Sequence, residues 1–467
     1  MKTRWLPGIL FLHSLVVLAD EPVAIGTRRE LFVDRYLVGE LKGTTLKLHE
    51  PQLMQPITPP RPNGHYATVL KADDKFQFYY RGDTKPGNHW KQGWEQYHAG
   101  EVTLYAESKD AIHWTLPKLD LFEHETFPQG NIVLMNEFLV NHNFTPFIDT
   151  KPGVPPEEKY KALGGIAYQP HPEHLAVRDK RGPGGLKAFV SPDGIHWKKL
   201  REEPVVPEDW GKYFDSQNYA FWSETEQCYV CYFRRFIKGW RGIARTTSKD
   251  FITWTPFVEM EANLPKEHLY TSCTQPYFRA PHIYVATPTR FMDKRGAATD
   301  ILFMSTRGGS KFDREFTQSF IRPGIGKDGW ADRANYAAIG IHQTGDAEMS
   351  LFLTGGRRYT LRLDGFVSVN APLAGGEFIT KPITFTGGKL EINYSTSAAG
   401  QMRVEIQDAD GKPMPGFTLD DCEPIWGDHI ARIVKWKSGS DVSALASKPV
   451  RLRFEMSDAD LFSVKFG

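Results

Sequence analysis

The chain has 467 residues, enough for two domains with sizeable cores. Its formal net charge is +1, so the charge balance gives no sign of a nucleic-acid partner or of an anionic membrane surface. Aromatic residues make up 13% of the chain, with 12 tryptophans, which suits both an all-β core and sugar-stacking surfaces.

The N-terminal segment 1–19 predicts a secretory signal peptide. Lys2 and Arg4 precede a mostly apolar run that is too short to span a bilayer, and residues 17–19 form an acceptable cleavage site. We therefore expect a secreted or periplasmic protein that is not inserted in a membrane after cleavage. A disordered or buried N-terminal segment is the alternative.

Four cysteines are few for an exported protein. Cys228 and Cys231 lie on one predicted strand and face opposite ways about 10 Å apart, so they cannot bridge each other. We expect buried thiols, or at most one disulfide that involves Cys273.

A short motif recurs along the chain. Its clearest copy is Ser-Pro-Asp-Gly-Ile-His-Trp at 191–197; other copies begin at 108 and 248 and weaker ones at 305 and 362, so the last four begin 57 residues apart. Five copies at such spacing indicate a radial repeat, with one hairpin at the end of each of five blades. Asp-Gly between two strand-like runs favours a tight hairpin, and the tryptophan (Trp197 in this copy) is placed to pack between neighbouring sheets.

The predicted strands follow these copies. Residues 30–37 form a lead-in strand, and the five blades contain the runs 65–80, 143–165, 214–234, 269–286 and 336–353. A loop at 83–100 with aromatic residues either lines a pocket or covers a blade edge.

From about residue 371 the motif with its 57-residue spacing no longer occurs. Short runs with alternating apolar and polar residues follow, and they predict an appended β-sandwich. No helix is predicted anywhere. We therefore expect an all-β chain with a signal peptide at 1–19, a five-bladed β-propeller at 20–370 and a β-sandwich at 371–467.

The hairpin motif and the order of propeller and sandwich resemble the five-bladed β-propeller glycoside hydrolases, namely the invertase/levanase and arabinanase/xylosidase groups. Locally, Arg-Pro-Asn-Gly at 61–64 is similar to the invertase Asp-Pro-Asn-Gly opening. Phe-Ile-Asp at 147–149, followed by residues 160–164, is similar to that group's Arg-Asp-Pro segment. The resemblance implies an exported glycoside hydrolase that acts on a poly- or oligosaccharide.

One position departs from the invertase pattern. Arg61 stands where invertases carry their nucleophilic aspartate. This argues against a retaining invertase mechanism and against fructan substrates, and it favours an inverting mechanism in which another carboxylate activates water.

Glycosidic cleavage usually needs two carboxyl groups across the bond. Asp149 and Asp215 are expected where the inner strands of blades two and three open on a central funnel, and Asp215 begins a polar run that is costly to bury without partners. We expect Asp215 to be the general acid and Asp149 to orient or stabilise the sugar at the anomeric carbon. Glu267 is the first candidate for the base and Asp300 the second. Turn-capping or surface roles are the alternatives.

The residues predicted to bind substrate are neutral polar groups, which hold sugar hydroxyls beside aromatic faces, and arginines, which suit a carboxylate or a sulfate group on an acidic sugar. Pairing with carbonyls or acids between blades is the alternative for the arginines. The neutral set is Asn63, His65, His142, Asn143 and Tyr270, and the arginines are Arg241, Arg290 and Arg333.

No phosphate-binding loop, dinucleotide fingerprint, nucleophile elbow or His-Glu-x-x-His motif is present in the sequence. The sequence therefore predicts no cofactor and no metal, although a single calcium ion in the channel stays open. The expected partner is a carbohydrate, and the oligomeric state is not predicted.

Two other functions stay open. A non-catalytic carbohydrate-binding propeller is favoured by the missing first carboxylate. A sialidase-like enzyme has a similar repeat, but its repeat carries an extra residue between Asp and Gly and its propeller has six blades.

Overall fold

The computed structural model describes residues 21–57, 65–85, 93–211 and 214–467, without the side chain of Tyr97. Within these ranges the chain is almost entirely β-structure, which confirms the all-β prediction. The predicted signal peptide at 1–19 lies outside the described residues.

The first strands lie ahead of the propeller. They are Val23–Gly26 (β1), Arg29–Leu31 (β2), Val38–Lys42 (β3), Thr45–Leu48 (β4) and Gln52–Leu53 (β5).

Three antiparallel sheets follow in chain order. The first contains Thr68–Ala72 (β6), Lys75–Asp83 (β7), Glu101–Ser108 (β8), Trp114–Thr115 (β9) and Ile132–Leu134 (β10). The second contains Thr145–Ile148 (β11), Tyr160–Gly164 (β12), Gly185–Ser191 (β13), Lys198–Lys199 (β14) and Val206–Pro207 (β15). The third contains Tyr219–Ser223 (β16), Cys228–Ile237 (β17), Trp240–Ser248 (β18) and Val258–Glu259 (β19).

The fourth unit is built of three strands, each of which is interrupted along its length. The interruptions divide the unit into two sheets of three strands each. Its strands are His268–Leu269 (β20), Thr274–Tyr277 (β21), Ala280–Ala286 (β22), Thr289–Met292 (β23), Ala298–Ile301 (β24) and Met304–Thr306 (β25). The fifth contains His342–Gln343 (β26), Glu348–Leu353 (β27) and Arg357–Arg362 (β28), and β5 completes it by pairing with β28. An N-terminal strand therefore closes the last blade.

The inner segments of these five units contact one another in a ring, which is the arrangement of a β-propeller. Hydrogen bonds join the inner segments of the second and third units, the third and fourth, the fourth and fifth, and the fifth and first, and one bond joins the third unit to the first. In the first and second units, β6 and β11 lie in contact. The contacts are Gln217 to Ala67, Asn143 to Phe214, Ser216 to Tyr270, Gly340 to Gln275 and Ile339 to Ala67.

The repeated motif forms hairpins at the outer strands of the blades, as predicted. Oδ1 of Asp193 accepts hydrogen bonds of 2.8 Å from the backbone N–H groups of Ile195 and His196, and Asp110 and Asp250 make the same pair of bonds in their copies. These bonds satisfy amides that the tight turn leaves unpaired.

The tryptophan of the motif packs between blades. The ring centroid of Trp197 lies 5.0 Å from that of Phe144 in the second unit and 6.3 Å from that of Tyr79 in the first. The repeat therefore has a structural role.

The remaining strands form one large sheet that folds over its own core. They are Val367–Ala371 (β29), Gly376–Thr380 (β30), Ile383–Phe385 (β31), Leu390–Asp408 (β32), Asp428–Ile433 (β33) and Val450–Phe466 (β34). The N-terminal strands β1–β4 pair with these strands, so the strand pairing departs from the predicted division at residues 20–370 and 371–467. Sequence reasoning missed this because the partners are more than 300 residues apart.

The helices of the described ranges are Trp94–His98 (α1), Pro172–Arg181 (α2) and Glu208–Gly211 (α3). The prediction of a chain without helices is wrong, most clearly at α2. This helix was missed because residues 168–185 are mostly polar and show no apolar periodicity typical of a helix. Pro172 in the first turn and Gly182 with φ of 85° after the last turn set its limits. No helix in these ranges is both long and apolar enough to cross a membrane.

The four cysteines are buried and unpaired. Cys228 and Cys231 both lie on β17, as predicted, where they face opposite sides of the sheet. The expectation of buried thiols is therefore confirmed, and Cys273 forms no disulfide.

Candidate active site

A cavity of ≈ 440 Å³ opens at the end of the propeller where the inner strands begin. Asp215 is the single acidic residue among the described residues that line it, and its side chain is 40% exposed to the cavity. The other lining residues are His65, Tyr66, Arg81, Trp94, His98, His142, Ile166, Ala167, Gln169, Arg234, Phe236, Arg241, Tyr270 and Arg333.

The carboxylate of Asp215 is held by several donors. The hydroxyl of Tyr66 donates to Oδ1 at 2.9 Å, that of Tyr270 donates to Oδ2 at 3.2 Å, and Nε2 of His142 lies 3.1 Å from Oδ1. Nη2 of Arg234 is 3.9 Å from Oδ2. Burial alone would raise the pKa of Asp215, but the His142 hydrogen bond and the charges of Arg234 and His142 hold that pKa well below its usual range.

This electrostatic environment corrects the role predicted for Asp215. A general acid must carry a proton when it meets the substrate, and its pKa is normally raised. The lowered pKa keeps Asp215 ionised near neutral pH, so it is suited to act as a nucleophile or a base and not as the acid.

His142 connects Asp215 to a second carboxylate, that of Glu101, which lies on β8 and is buried behind it. Nδ1 of His142 lies 2.7 Å from Oε1 of Glu101, and Nδ1 of His98 lies 3.0 Å from Oε2. Burial would lower the pKa of His142, but the charge of Glu101 and the hydrogen bonds to Asp215 and Glu101 raise it. Burial would raise the pKa of Glu101, but the charges and hydrogen bonds of His142 and His98 hold it well below its usual range. The ring of His142 therefore lies between two carboxylates, and both favour its protonated form.

His98, Glu101 and His142 are also the described residues that could hold a metal ion, because their ligand atoms lie within 4.8 Å of one another. However, Nη1 of Arg81 lies 3.4 Å from Oε1 of Glu101. The guanidinium group therefore already supplies positive charge at this place.

Asn143 positions the loop that carries Asp215. Its Nδ2 group donates to the backbone oxygens of Phe214 at 2.8 Å and Ser216 at 2.9 Å, and its Oδ1 accepts from the N–H of Gly165 at 2.8 Å. The side chain is buried and does not line the cavity. Asn143 therefore acts on Asp215 through the backbone, and the prediction that it contacts substrate is wrong.

Asp149 does not reach the cavity. It follows the far end of β11, six residues beyond Asn143 and therefore about 20 Å along the strand from the site. Its carboxylate is fully buried, accepts from the hydroxyl of Tyr229 at 2.6 Å and pairs with Nζ of Lys161 at 3.0 Å. The predicted role at the anomeric carbon is wrong, because the strand runs away from the funnel before the aspartate is reached.

Glu267, Arg290 and Asp300 lie in a different recess of the fourth unit. Glu267 pairs with Arg314 at 2.9 Å, and Arg290 pairs with Asp300 at 2.9 Å. The carboxylates of Glu267 and Asp300 are therefore paired with arginines, and they do not line the cavity that contains Asp215. The prediction of Glu267 or Asp300 as the base, and that of Arg290 as a substrate ligand, are therefore wrong.

Of the other predicted residues, His65, His142, Tyr270, Arg241 and Arg333 line the cavity. Burial, with the charge of Arg81, lowers the pKa of His65 to about 3, so its ring is neutral. Asn63 lies outside the described residues. The loop at 83–100 was predicted either to line a pocket or to cover a blade edge. Trp94, in the described part of this loop, lines the cavity, which favours the first of these roles.

Sequence reasoning missed Tyr66, Arg81, His98, Glu101 and Arg234. One signal was available for two of them. Thr68 pairs with Tyr79 and Tyr219 pairs with Tyr232, so the antiparallel register brings Arg81 opposite Tyr66 and Arg234 opposite Gln217 at the funnel. Pairing the predicted strands would have brought both arginines to the site.

No protein-family model and no curated protein matches the chain. A glycoside hydrolase family 43 arabinoxylan arabinofuranohydrolase from Bacillus subtilis, solved with cellotetraose, is similar at 12% identity over 88% of this chain and 97% of its own, with a TM-score of 0.40. A Bombyx mori GH32 beta-fructofuranosidase is similar at 12% identity over 89% and 94%, with a TM-score of 0.44. A beta-1,2-mannobiose phosphorylase from Listeria innocua is similar at 9% identity over 65% and 90%, with a TM-score of 0.44. These are distant likenesses, so the function of the chain is argued from its own cavity.

Proposed function

We propose that the chain is a glycoside hydrolase that cleaves a poly- or oligosaccharide in the cavity around Asp215. The observation that carries the proposal is an ionised, partly exposed carboxylate that Tyr66, Tyr270 and His142 hold in place inside a cavity of ≈ 440 Å³. Positive charge develops at the anomeric carbon when a glycosidic bond breaks, and a fixed carboxylate is suited to stabilise or attack it.

The leaving oxygen needs a proton, and the described lining offers no second carboxyl group. Of the undescribed segments, 58–64, 86–92 and 212–213 contain no Asp or Glu in the sequence, and 1–20 contains Asp20 alone. We assign the proton to His142, because Glu101 raises its pKa and its Nε2 atom lies at the carboxylate of Asp215. A proton donor whose pKa lies near the working pH is efficient.

Two courses of the reaction are consistent with this assignment. In the first, Asp215 forms a bond to the anomeric carbon as the glycosidic bond breaks and the leaving oxygen takes the proton of His142; water then displaces Asp215 and gives a proton back to His142, so the anomeric configuration is retained. In the second, Asp215 removes a proton from a water that attacks the anomeric carbon, while the glycosidic bond breaks and the leaving oxygen takes the proton of His142, so the configuration is inverted. The anomer of the first product distinguishes the two.

The proposal needs no cofactor. It places the enzyme outside the cytoplasm because of the signal predicted at 1–19.

A second candidate is a protein that binds carbohydrate without cleaving it. It is favoured by the single acidic residue among the described lining residues, because most glycosidases use two. The second candidate shares the cavity and the ligand with the first but lacks the reaction.

The test is a screen of the protein, expressed without residues 1–19, against plant and algal polysaccharides and oligosaccharides. Release of reducing ends, with the product anomer read by proton NMR, supports the hydrolase. Calorimetric binding without release of reducing ends supports the second candidate. Neither binding nor cleavage contradicts both.

A further inference from the structure

Three arginines of the cavity have guanidinium donors without acceptors. Arg234, on β17, is buried, and its Nε and Nη1 atoms have no hydrogen-bond partner. The Nε atoms of Arg241 and Arg333 are buried and unpartnered as well. Leaving a buried charged donor without an acceptor is costly, so such a set is expected where a ligand supplies the acceptors.

The lack of an acceptor is clearest for Arg241. Among the described residues it forms no salt bridge; its guanidinium carbon lies 4.8 Å from the ring centroids of both Tyr270 and Phe291. Burial and the nearby charge of Arg234 lower the pKa of Arg241. The aromatic rings hold the side chain in place, but no carboxylate balances it.

The net charge of the cavity lining also favours an anionic ligand. Arg81, Arg234, Arg241 and Arg333 line it, and Asp215 is the single acidic residue among the described lining. Asp332 pairs with Arg333 at 3.1 Å, but this aspartate is an exposed neighbour in sequence and does not line the cavity. The cavity therefore has an excess of positive charge next to the carboxylate that we assign to the anomeric carbon.

Resting on the proposed function, we propose that the sugar bound beside Asp215 carries an oxyanion, the carboxylate of a uronic acid or a sulfate ester, received by Arg234 and Arg241 with Arg333 at the rim. Carboxylate and sulfate oxygens match the paired N–H donors of a guanidinium group. The unpartnered Nε and Nη1 atoms of Arg234 are distinct from its Nη2 atom, which lies 3.9 Å from Oδ2 of Asp215. The donors assigned to the substituent are therefore not the one that faces the carboxylate.

Binding of simple glycosides tests this proposal without requiring turnover. The full chain without residues 1–19 is titrated calorimetrically with methyl glycosides of glucuronic acid, galacturonic acid, sulfated galactose and sulfated glucose, each beside its neutral counterpart. At least one charged glycoside is expected to bind about tenfold or more tightly than its neutral counterpart, and the uronate and sulfate arms separate the two sources of the anion. If no charged glycoside is preferred, the proposal is overturned.

Variants locate the preference. Arg241→Met and Arg234→Met are expected to remove it, while Arg290→Met, which changes an arginine paired with Asp300 outside the cavity, retains it. If Arg234→Met does not fold, Arg241→Met carries the test alone, since Arg241 has no ion pair in the described structure to lose. A preference that survives in folded Arg241→Met contradicts the assignment.

Failure of this inference differs from failure of the proposed hydrolase. Arginine-dependent binding of charged glycosides with no glycan cleaved leaves the anion site standing and removes the hydrolase. Cleavage of neutral glycans without a preference for charged glycosides removes the anion site and leaves the hydrolase.

Discussion

The Nε2 atom of His142 lies 3.1 Å from Oδ1 of Asp215, the acidic group of the described cavity lining. Each of these groups favours the charged form of the other: the imidazolium lowers the pKa of Asp215, and Asp215 raises that of His142. A carboxylate and a group whose protonated form is favoured therefore lie side by side, and Glu101 on the far side of the ring raises the pKa of His142 further.

Replacing Glu101 is expected to move the pH dependence of the reaction. Its charge raises the pKa of His142, so Glu101→Gln lowers that pKa, and His142 loses its proton at a lower pH. The alkaline limb of kcat/KM should therefore shift to lower pH. Glu107→Gln, on the same strand but outside the cavity, is the control and should not shift it. An unchanged alkaline limb in folded Glu101→Gln would show that His142 is not the titrating group.

His142 as the proton donor predicts a dependence on the leaving group. His142→Gln can still hold Asp215 by a hydrogen bond but supplies no proton, so it should lose about 10²- to 10⁴-fold on glycosides with a poor leaving group. On dinitrophenyl glycosides, whose leaving oxygen needs no proton, the loss should be far smaller. Equal losses on both kinds of substrate would mean that His142 only positions Asp215.

The repeat made much of the propeller predictable. The bonds from Asp193 to the amides of Ile195 and His196 are local, and local turn chemistry is visible in a sequence. The pairing of β1–β4 with the last strands was not predictable, because it joins segments from opposite ends of the chain and no local pattern records it.

The site was predictable only in part. Asp215 was predictable because polar residues follow it at the start of a buried strand. Asp149 was placed wrongly because the sequence does not show at which residue its strand begins, and the aspartate in fact follows the end of β11. Glu101 is the first residue of β8 and Arg234 lies within β17, and nothing in either strand's own sequence marks them as site residues. Only the register of neighbouring strands shows that their ends meet at the cavity.

Trp114 should contribute more to stability than Trp197. The ring centroid of Trp114 lies 5.2 Å from that of Phe78 in the first blade and 6.4 Å from that of Phe352 in the last, and the side chain is buried. Trp114→Ala should lower the free energy of unfolding by about 3–5 kcal/mol, and Trp197→Ala by less, because Trp197 is only partly buried. Urea denaturation measures both. A loss below about 1 kcal/mol for Trp114→Ala would mean that the ring does not join the blades.

Asp364 joins the propeller to the C-terminal sheet. Its carboxylate is buried and accepts from the hydroxyl of Tyr277 in the fourth blade at 2.8 Å and from that of Ser463 in β34 at 2.7 Å. It also pairs with Arg279 at 3.2 Å and Arg29 at 3.4 Å. Asp364→Ala leaves Arg279 without its carboxylate and Arg29 with that of Glu391 alone, and it should destabilise the protein by about 3–5 kcal/mol.

Chemical denaturation of Asp364→Ala, beside the exposed control Asp346→Ala, measures this effect. The fragment 20–370 should be insoluble for a related reason, since it leaves β1, β2 and β3 without their partner strands β31, β34 and β30. A stable, active fragment would show that the sheet does not brace the propeller.

The placement of the active centre at Asp215 is tested most directly by kcat/KM of three carboxylate variants on whichever glycan the parent cleaves. Asp215→Asn should lose about 10²- to 10⁴-fold while its Tm stays near that of the parent. Asp149→Asn and Glu267→Gln, which disturb buried ion pairs outside the cavity, should have a lower Tm but near-parental kcat/KM in the folded protein. Near-parental kcat/KM in Asp215→Asn would contradict the assignment of the cavity as the active site.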